Sequence, residues 1–350
     1  HKNGNISMKV FASKDKIYIG ESYVKYKLFS NTYLKTGKYY KDFSSYLNET
    51  LSSGSLLISN NAEPMPKIGL LSSYKFKQSQ NFNFNFGISH GLFAKSAIYK
   101  TPPMLHEKFV YLNYSKNQND FGIGFVHEAM WGGSTDEDGK FSTSYKDFLK
   151  IFISADGPLL DGQSHANALG NHLGIWDFYY KKTVNNKELK FYYQHFFEDT
   201  SGLRFDNKSD GLWGIELSNY TKNTNILLEY LNTMNQDRNP PYVNENYYNH
   251  FEYQEGWSYK GYSLGNPFIN HTNNNPSKVL HLGVNRNGIN KYSYRLLASR
   301  RINLSDHIKY QISIGKMINE LLIGVVFTGE KNMNNNVTLK ISYSPIMKAR

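Results

Sequence analysis

Three segments of the chain alternate strictly between apolar and polar side chains. Residues 81–88 alternate asparagine with phenylalanine and end in Gly87 and Ile88. Residues 307–314 alternate isoleucine or tyrosine with polar residues, and residues 337–344 follow the same pattern. Successive side chains of a β-strand point to opposite faces, so each segment predicts a strand with one apolar and one polar face.

Weaker forms of this alternation recur along the whole chain. With the strict segments they predict about 16 strands, or about 22 residues for each strand and its connection, which suits membrane strands of roughly 9–11 residues. The longest apolar run, 321–327, has seven residues, against the roughly 20 that a membrane-spanning helix needs. The weaker segments are 5–13, 16–29, 31–41, 66–77, 109–117, 121–132, 172–183, 187–198, 211–221, 224–235, 277–286, 291–302 and 320–330.

The connections between these segments alternate in length. Those at 29–31, 78–80, 118–120, 183–187, 222–223, 286–290 and 317–320 are short, whereas 42–65, 94–108, 133–171, 199–210 and 235–276 are long. A soluble β-sandwich has no reason to sort its loops by length in this way. A β-propeller should show a sequence repeat of about 40–50 residues, and this chain has none. We therefore predict one all-β domain over 1–350. It is a transmembrane antiparallel up-and-down β-barrel of about 16 strands (roughly 14–18), with long extracellular loops and short periplasmic turns.

Composition narrows the function classes. The chain has no cysteine, which excludes disulfides, thiolate metal sites and a cysteine nucleophile. Its net charge is +11, but the basic residues are spread thinly, so we expect no nucleic-acid partner. The first residues carry no apolar signal-peptide core, so we expect the sequence to begin after any such peptide or at an internal boundary of a longer chain.

Two histidines near predicted strand ends are candidates for a metal or catalytic site. The pair His127-Glu128 resembles half of a zinc-peptidase motif, but that motif needs a second histidine where Trp131 stands. His172 opens the next strand, and a general base there would need a carboxylate or nucleophile beside it. We predict no metal, no cofactor and no catalytic residue, and we expect a hydrogen-bonded rim position for His172.

The connection 235–276 is the richest in aromatic residues, which are mixed with asparagine and glutamate. Aromatic faces stack on sugar rings while amides and carboxylates bind hydroxyl groups, so this connection is a candidate saccharide surface. The alternative is a loop folded over the lumen whose aromatic side chains pack internally. The candidate polysaccharide-binding residues are Trp257, Tyr259, Tyr247, Tyr248, Tyr253, Trp131 and His172.

Two other long connections carry apolar residues at helical spacing. Residues 42–55 and 144–154 each place large apolar side chains three to four positions apart. Both segments are too short to form independent domains. We expect them to be short helices that fold into the barrel mouth.

A series of short motifs resembles the Wzi-type capsule assembly family in the form found among Bacteroidetes outer-membrane proteins. The resemblance implies an integral β-barrel of the Gram-negative outer membrane that acts like a lectin and helps to attach and organise capsular polysaccharide at the cell surface. It also implies helices that plug the periplasmic end, but no set of binding residues. The motifs lie at 51–55, 61–68, 89–91, 127–133, 170–178, 197–199, 210–212, 228–231, 246–250, 256–261, 265–267 and 281–283.

These observations leave several functions open. The first is a non-enzymatic barrel whose partners are capsular or surface polysaccharide and the lipid bilayer of the outer membrane. Alternatives are a structural barrel that works with other outer-membrane proteins, and a porin-like channel with a basic lumen, which a folded plug would oppose. A hydrolase would require Glu128, His172, Asp199 and His250 to converge at the rim.

Overall fold

The computed structural model describes residues 4–12, 17–76, 79–159, 167–198, 203–236, 247–273, 275–289, 292–303, 307–319, 321–331 and 335–343. Its elements are β1 (Gly4–Ala12), β2 (Ile17–Phe29), β3 (Thr32–Tyr39), β4 (Met65–Lys75), β5 (Phe82–Leu92), β6 (Tyr99–Thr101), β7 (Met104–Lys116), β8 (Asn119–Trp131), β9 (Ser134–Thr135), α1 (Tyr145–Ile153), β10 (Asn171–Val184), β11 (Lys187–Phe197), β12 (Gly211–Ser218), β13 (Thr224–Asn232), β14 (Ser258–Tyr259), β15 (Tyr262–Ser263), β16 (Lys278–Ile289), β17 (Tyr292–Arg301), β18 (His307–Ile318), β19 (Leu321–Glu330) and β20 (Asn336–Tyr343).

Sixteen of these strands form one antiparallel sheet whose order follows the chain. The other four form two small ladders in the long connections, β6 with β9 and β14 with β15. Neighbouring sheet strands pair as an uninterrupted meander from β1 to β20, and within the described ranges no ladder joins β20 back to β1. The predicted all-β, up-and-down architecture of about 16 strands is confirmed.

The two faces of the sheet differ in polarity. On β18, Ile312 is exposed on the outer face, whereas Gln311 faces inward and accepts a hydrogen bond from Arg295 of β17. Leu339 and Ile341 of β20 are likewise exposed on the outer face. An apolar exterior with a polar interior is the pattern of a membrane-embedded strand wall. Among the described residues, no helix is long and apolar enough to cross a membrane.

The sheet curves around part of its first long connection, residues 42–58, which we call the plug segment. Inward-facing side chains from β7, β10, β11, β12, β13 and β16 all contact this one segment. Ser44 alone bonds to Tyr111 of β7, Asp177 of β10 and Gln194 of β11, although β7 and β11 lie three strand spacings of about 4.8 Å apart. Three inward-facing side chains converge on one serine in this way because the sheet curves. The described strands therefore form the wall of a filled barrel.

Hydrogen bonds fix the plug segment to the inner wall. Ser44 Oγ donates to Asp177 Oδ2 at 2.5 Å, and Ser53 N donates to Glu229 Oε2 at 2.6 Å. Each of these carboxylates is buried and accepts further bonds from the plug or from tyrosines of the wall. A buried charge is costly unless it is hydrogen-bonded, so wall and plug stabilise each other. Further bonds join Asn48 to Glu216, Leu56 to Gln194, and His281 to the Leu51 carbonyl.

The connections sort by length as predicted. Tight two-residue turns, such as Asn117-Gln118 and Asn185-Asn186, close one end of the wall, and both residues of each turn have positive φ. This is the type I′ geometry that matches the twist of antiparallel strands. The long connections share the opposite end. The largest difference from the predicted boundaries is at β7, which begins at Met104, so the long connection before it ends earlier than residue 108.

The two helix predictions had different outcomes. Residues 145–153 form α1, capped by Ser144, whose side chain accepts a hydrogen bond from the Asp147 N–H. Helix α1 lies against the outer wall rather than in the barrel mouth, since Phe148 packs on the outward-facing His90 of β5 and His106 of β7. Residues 42–55 form turns rather than a helix, because their polar groups bond to the inner wall instead of to each other.

Two glycines of β8 make room for tyrosine rings inside the barrel. A Cβ at Gly124 would overlap the ring of Tyr111, and one at Gly122 would overlap the ring of Tyr179. We expect Gly124→Ala to lower the free energy of unfolding by about 1–3 kcal/mol, the usual cost of overpacking. Thermal unfolding in detergent measures this, with the lipid-facing Ile123→Val as control. Equal midpoints for the two variants would contradict the packing described.

The sidedness of the barrel is testable because the chain has no cysteine. A cysteine at Asp136, in the exposed turn after β9, should react with a membrane-impermeant maleimide on intact cells if the long connections face outward. A cysteine at Asn186, in the tight turn after β10, should react only after the outer membrane is permeabilised. The reverse labelling pattern would invert the orientation.

Candidate functional site

The second half of the longest aromatic connection, residues 247–273, covers the plug segment at the long-connection end; we call it the cover segment. Trp257 Nε1 donates to the Leu57 carbonyl at 2.9 Å, and Asn266 Nδ2 donates to the Gly54 carbonyl at 2.8 Å. These bonds satisfy plug carbonyls that would otherwise be buried without partners. The cover segment is thus a second layer, resting on the plug and closing the mouth above it.

Five of the predicted site residues lie in this layer, and their side chains point inward. Trp257 has 0% of its surface exposed, and the others are buried with it. Phe196 of β11 illustrates the packing, with its ring centroid 4.1 Å from that of Tyr247. Their surroundings match the internal-packing alternative, since no face remains free for a sugar ring. The five residues are Tyr247, Tyr248, Tyr253, Trp257 and Tyr259.

The other two predicted site residues lie elsewhere. Trp131 and His172 face the outside of the wall beneath α1, where the Trp131 ring centroid is 5.1 Å from that of Phe148. His172 Nδ1 lies 2.9 Å from His127 Nε2, and its Nε2 bonds to the Leu169 carbonyl. His172 is therefore hydrogen-bonded at the rim, as the sequence led us to expect, on the outer side of the wall.

Sequence reasoning did not single out the two aromatic side chains that the cover segment exposes most. Phe251 is 56% exposed and Tyr262 is 59% exposed, and both belong to the connection already identified as aromatic-rich. Because a loop has no regular period, the sequence contains no signal that separates its outward rings from its inward ones. The surface they occupy, with Lys260 and Gln254, is called the rim surface below.

Phe251 is supported by a neutral histidine. Its ring stacks on His250 at a centroid distance of 4.7 Å and an interplanar angle of 20°. Burial lowers the pKa of His250 to about 3, so the imidazole is neutral at physiological pH. Its Nδ1 accepts hydrogen bonds from the backbone N–H groups of Glu252 and Tyr253. The stacked pair therefore offers an uncharged aromatic face at the mouth.

Tyr262 stands on a small hairpin held by an ion pair. Strands β14 and β15 pair through Tyr259 and Tyr262, and the connecting Lys260 and Gly261 both have positive φ, as a type I′ turn requires. Lys260 Nζ lies 2.6 Å from Glu63 Oε2, and that hydrogen bond raises the pKa of Lys260. The hairpin thus presents Tyr262 on a defined scaffold.

Asp210 anchors the neighbouring loops to the cover segment. Its carboxylate accepts hydrogen bonds from the backbone N–H of Asn235 at 2.8 Å and from the Tyr247 hydroxyl at 3.0 Å. Burial raises the pKa of Asp210. Its burial and its several donors indicate a structural role, holding the start of β12 against the end of β13 and the cover segment.

Two of the four residues proposed for a hydrolase, Glu128 and His172, lie on opposite faces of the wall. Glu128 faces the lumen beside its cross-strand neighbour Glu107, whereas His172 faces the outside of the wall. His250 is engaged in the cover segment, and Asp199 lies outside the described residues. Across the parts of the chain that the structure describes, no group of three or more metal-ligating side chains could hold a metal ion.

The family model of the capsule assembly protein Wzi matches residues 3–342. The chain belongs to the Wzi capsule assembly family. This is a capsule assembly family rather than a family of enzymes. No curated protein sequence matches the chain.

A solved structure supports the fold. The Wzi protein of Escherichia coli, described as an outer-membrane, carbohydrate-binding β-barrel involved in group 1 capsule assembly, matches with a TM-score of 0.59 and 18% identity, over 93% of this chain and 69% of that one. Two mutants of the Rh. blastica porin align at a TM-score of 0.34 and 8% identity, over 89% and 88% of this chain and 96% of theirs, a likeness too weak to interpret further. The family and this neighbour, together with the apolar outer wall, identify an integral outer-membrane β-barrel.

The burial of Trp257 generates a stability prediction for this Wzi-family barrel. Trp257→Ala removes a fully buried ring and its bond to Leu57, so we expect a loss of about 3–5 kcal/mol in the free energy of unfolding. Tyr262→Ala should stay within about 0.5 kcal/mol, because its ring is exposed. Thermal unfolding and limited proteolysis of the cover segment report the effect. A Trp257→Ala protein as stable as Tyr262→Ala would contradict the packing.

Proposed function

We propose that this barrel binds capsular or surface polysaccharide at its outer mouth, without enzymatic activity, and so helps to hold the polymer at the cell surface. The observation that carries the proposal is the pair of exposed aromatic faces on the rim surface, Phe251 and Tyr262, above a filled lumen. Membership of the capsule assembly family supports it, as does the carbohydrate binding attributed to the E. coli Wzi barrel.

The filled lumen favours a binding role over a porin-like channel. An open channel needs a continuous wet path, but the plug segment bonds to the inner wall on several strands and the cover segment packs above it. Opening a passage would break buried hydrogen bonds to Asp177 and Glu229, each of which costs free energy when left unmade. A polymer bound at the mouth requires no such opening.

The chemistry of the rim surface suits sugar rings more than it suits a strongly anionic polymer. Charged groups of both signs lie near the mouth, and some of them are paired, since Lys260 bonds Glu63 and Lys100 bonds Asp136. The net charge of +11 is therefore not concentrated there. Stacking and hydrogen bonding by groups such as the Gln254 amide should dominate, so binding should persist at high salt.

A single rim site would bind weakly, and a repeating polymer compensates for that. Aromatic stacking on a nucleobase is worth about 1–3 kcal/mol, and a sugar ring should contribute near the lower end. Many barrels on one cell surface contact many repeats of one chain, so retention rises by avidity without any tight individual contact.

The double variant Phe251→Ala, Tyr262→Ala tests this proposal. We expect it to weaken binding of surface polysaccharide, isolated from the bacterium that carries the gene, by about 10- to 30-fold, since the two lost stacks should together cost about 1.4–2 kcal/mol. Biolayer interferometry on the purified barrel at low and high salt measures the change, and release of polymer into the medium reports it on cells.

The control is Tyr220→Ala, which removes an exposed aromatic residue at the short-turn end. It should leave binding unchanged. Equal binding by the double variant and the control would remove Phe251 and Tyr262 from the site. A wild-type barrel that binds no polysaccharide but co-purifies with other outer-membrane proteins would favour the alternative role as a structural subunit.

A further inference from the structure

Helix α1 packs on the outer wall of the barrel at its long-connection end. Phe148 contacts the rings of His90 and His106, and Ile151 is buried against the same surface. Lys108 Nζ donates to the Phe152 carbonyl at the end of the helix, and Ser154 Oγ lies 2.8 Å from His127 Nε2. One face of the helix is therefore fully committed to the wall.

A second face of the same helix is apolar and has no protein partner among the described residues. Tyr145 is 76% exposed, Leu149 is 46% exposed and Ile153 is 71% exposed. Their spacing of four residues places them in one row along the helix. A solvent-facing helix surface normally carries polar residues at such positions, so this row indicates a non-aqueous neighbour.

The wall beneath α1 identifies that neighbour. On β8 the outward row continues from His127, under the helix, to Phe125 and then the exposed Ile123, about 13 Å along the strand. On β7 it continues from Lys108 to the exposed Leu112. These are lipid-facing positions of an outer-membrane barrel. The exposed row of α1 is thus continuous with a surface that is already in contact with lipid.

The charged residues of α1 complete an interfacial pattern. Successive residues of an α-helix are rotated by about 100°. Going around α1 away from the wall, Ile153 ends the exposed apolar row, Lys146 and Lys150 come next, and Asp147 lies beyond them. An amphipathic helix at a membrane surface buries its apolar row among acyl chains while flanking lysines reach the headgroups. Lysine ammonium groups would there meet the phosphates of outer-leaflet lipids.

We propose that α1 is an interfacial helix that lies in the outer leaflet, with Tyr145, Leu149 and Ile153 inserted at the boundary between headgroups and acyl chains. Its partner is a phosphate-bearing lipid surface. The helix would thus fix the depth of the barrel in the membrane on the β5–β10 side. This inference depends on the outer-membrane location and is independent of polysaccharide binding.

Spin labelling tests the proposal directly, because the natural chain contains no cysteine. Single cysteines at Leu149, Ile153 and Asp147 of the full barrel are labelled with a nitroxide and reconstituted into phosphatidylcholine–phosphatidylglycerol vesicles. The ratio of collision rates with oxygen and with a water-soluble nickel chelate reports depth. Labels at Leu339 on the lipid-facing wall and at Asp136 in an exposed turn supply the two reference values.

We expect the oxygen-to-nickel ratios at Leu149 and Ile153 to approach the Leu339 value and to exceed the Asp147 value several-fold. Leu149 and Ile153 are independent sites, so a folding defect in one variant leaves the other as a test. Ratios at both positions equal to that of Asp136 would overturn the proposal. Labels that are shielded from both oxygen and the nickel chelate, and that show dipolar broadening, would also overturn it. That result would show that a second copy of the chain, and not lipid, covers the exposed row of α1.

Discussion

Buried carboxylates on the inner wall hold the plug segment in place, and the rest of the molecule depends on that attachment. Asp177 and Glu229 lie where water is excluded, so each needs several hydrogen-bond donors, and the plug segment supplies them from its serines and its backbone. The plug in turn offers carbonyl groups to Trp257 and Asn266 of the cover segment. The inner wall therefore positions the plug segment, and the plug segment positions the cover segment at the mouth.

The outer wall faces lipid, so its side chains must need no hydrogen-bond partners. Lipid cannot pair with polar groups, so the strands bond to each other and present side chains such as Ile123, Leu339 and Ile341 to the membrane. A histidine- and lysine-bearing patch interrupts this exterior at the long-connection end, and α1 covers it with Phe148. One short helix thus shields these polar residues on a largely apolar exterior.

The local pattern predicted a helix correctly in one long connection and wrongly in another. Residues 144–154 have helical spacing and a serine cap, and α1 forms there. Residues 42–55 have similar spacing but form turns, because the inner wall provides stronger partners for their polar groups than a helix would. The sequence of neither segment indicates whether it packs on the inner or the outer side of the barrel wall.

The sequence by itself determined the strand number, the apolar and polar faces, and the sorting of short turns from long connections, because alternation and turn chemistry act between near neighbours. Only the tertiary structure decided that Trp257 is buried while Phe251 and Tyr262 are exposed. Those residues share one irregular loop and one aromatic character. Their roles differ because contacts with the plug segment, some 200 positions away in the chain, select which rings turn inward.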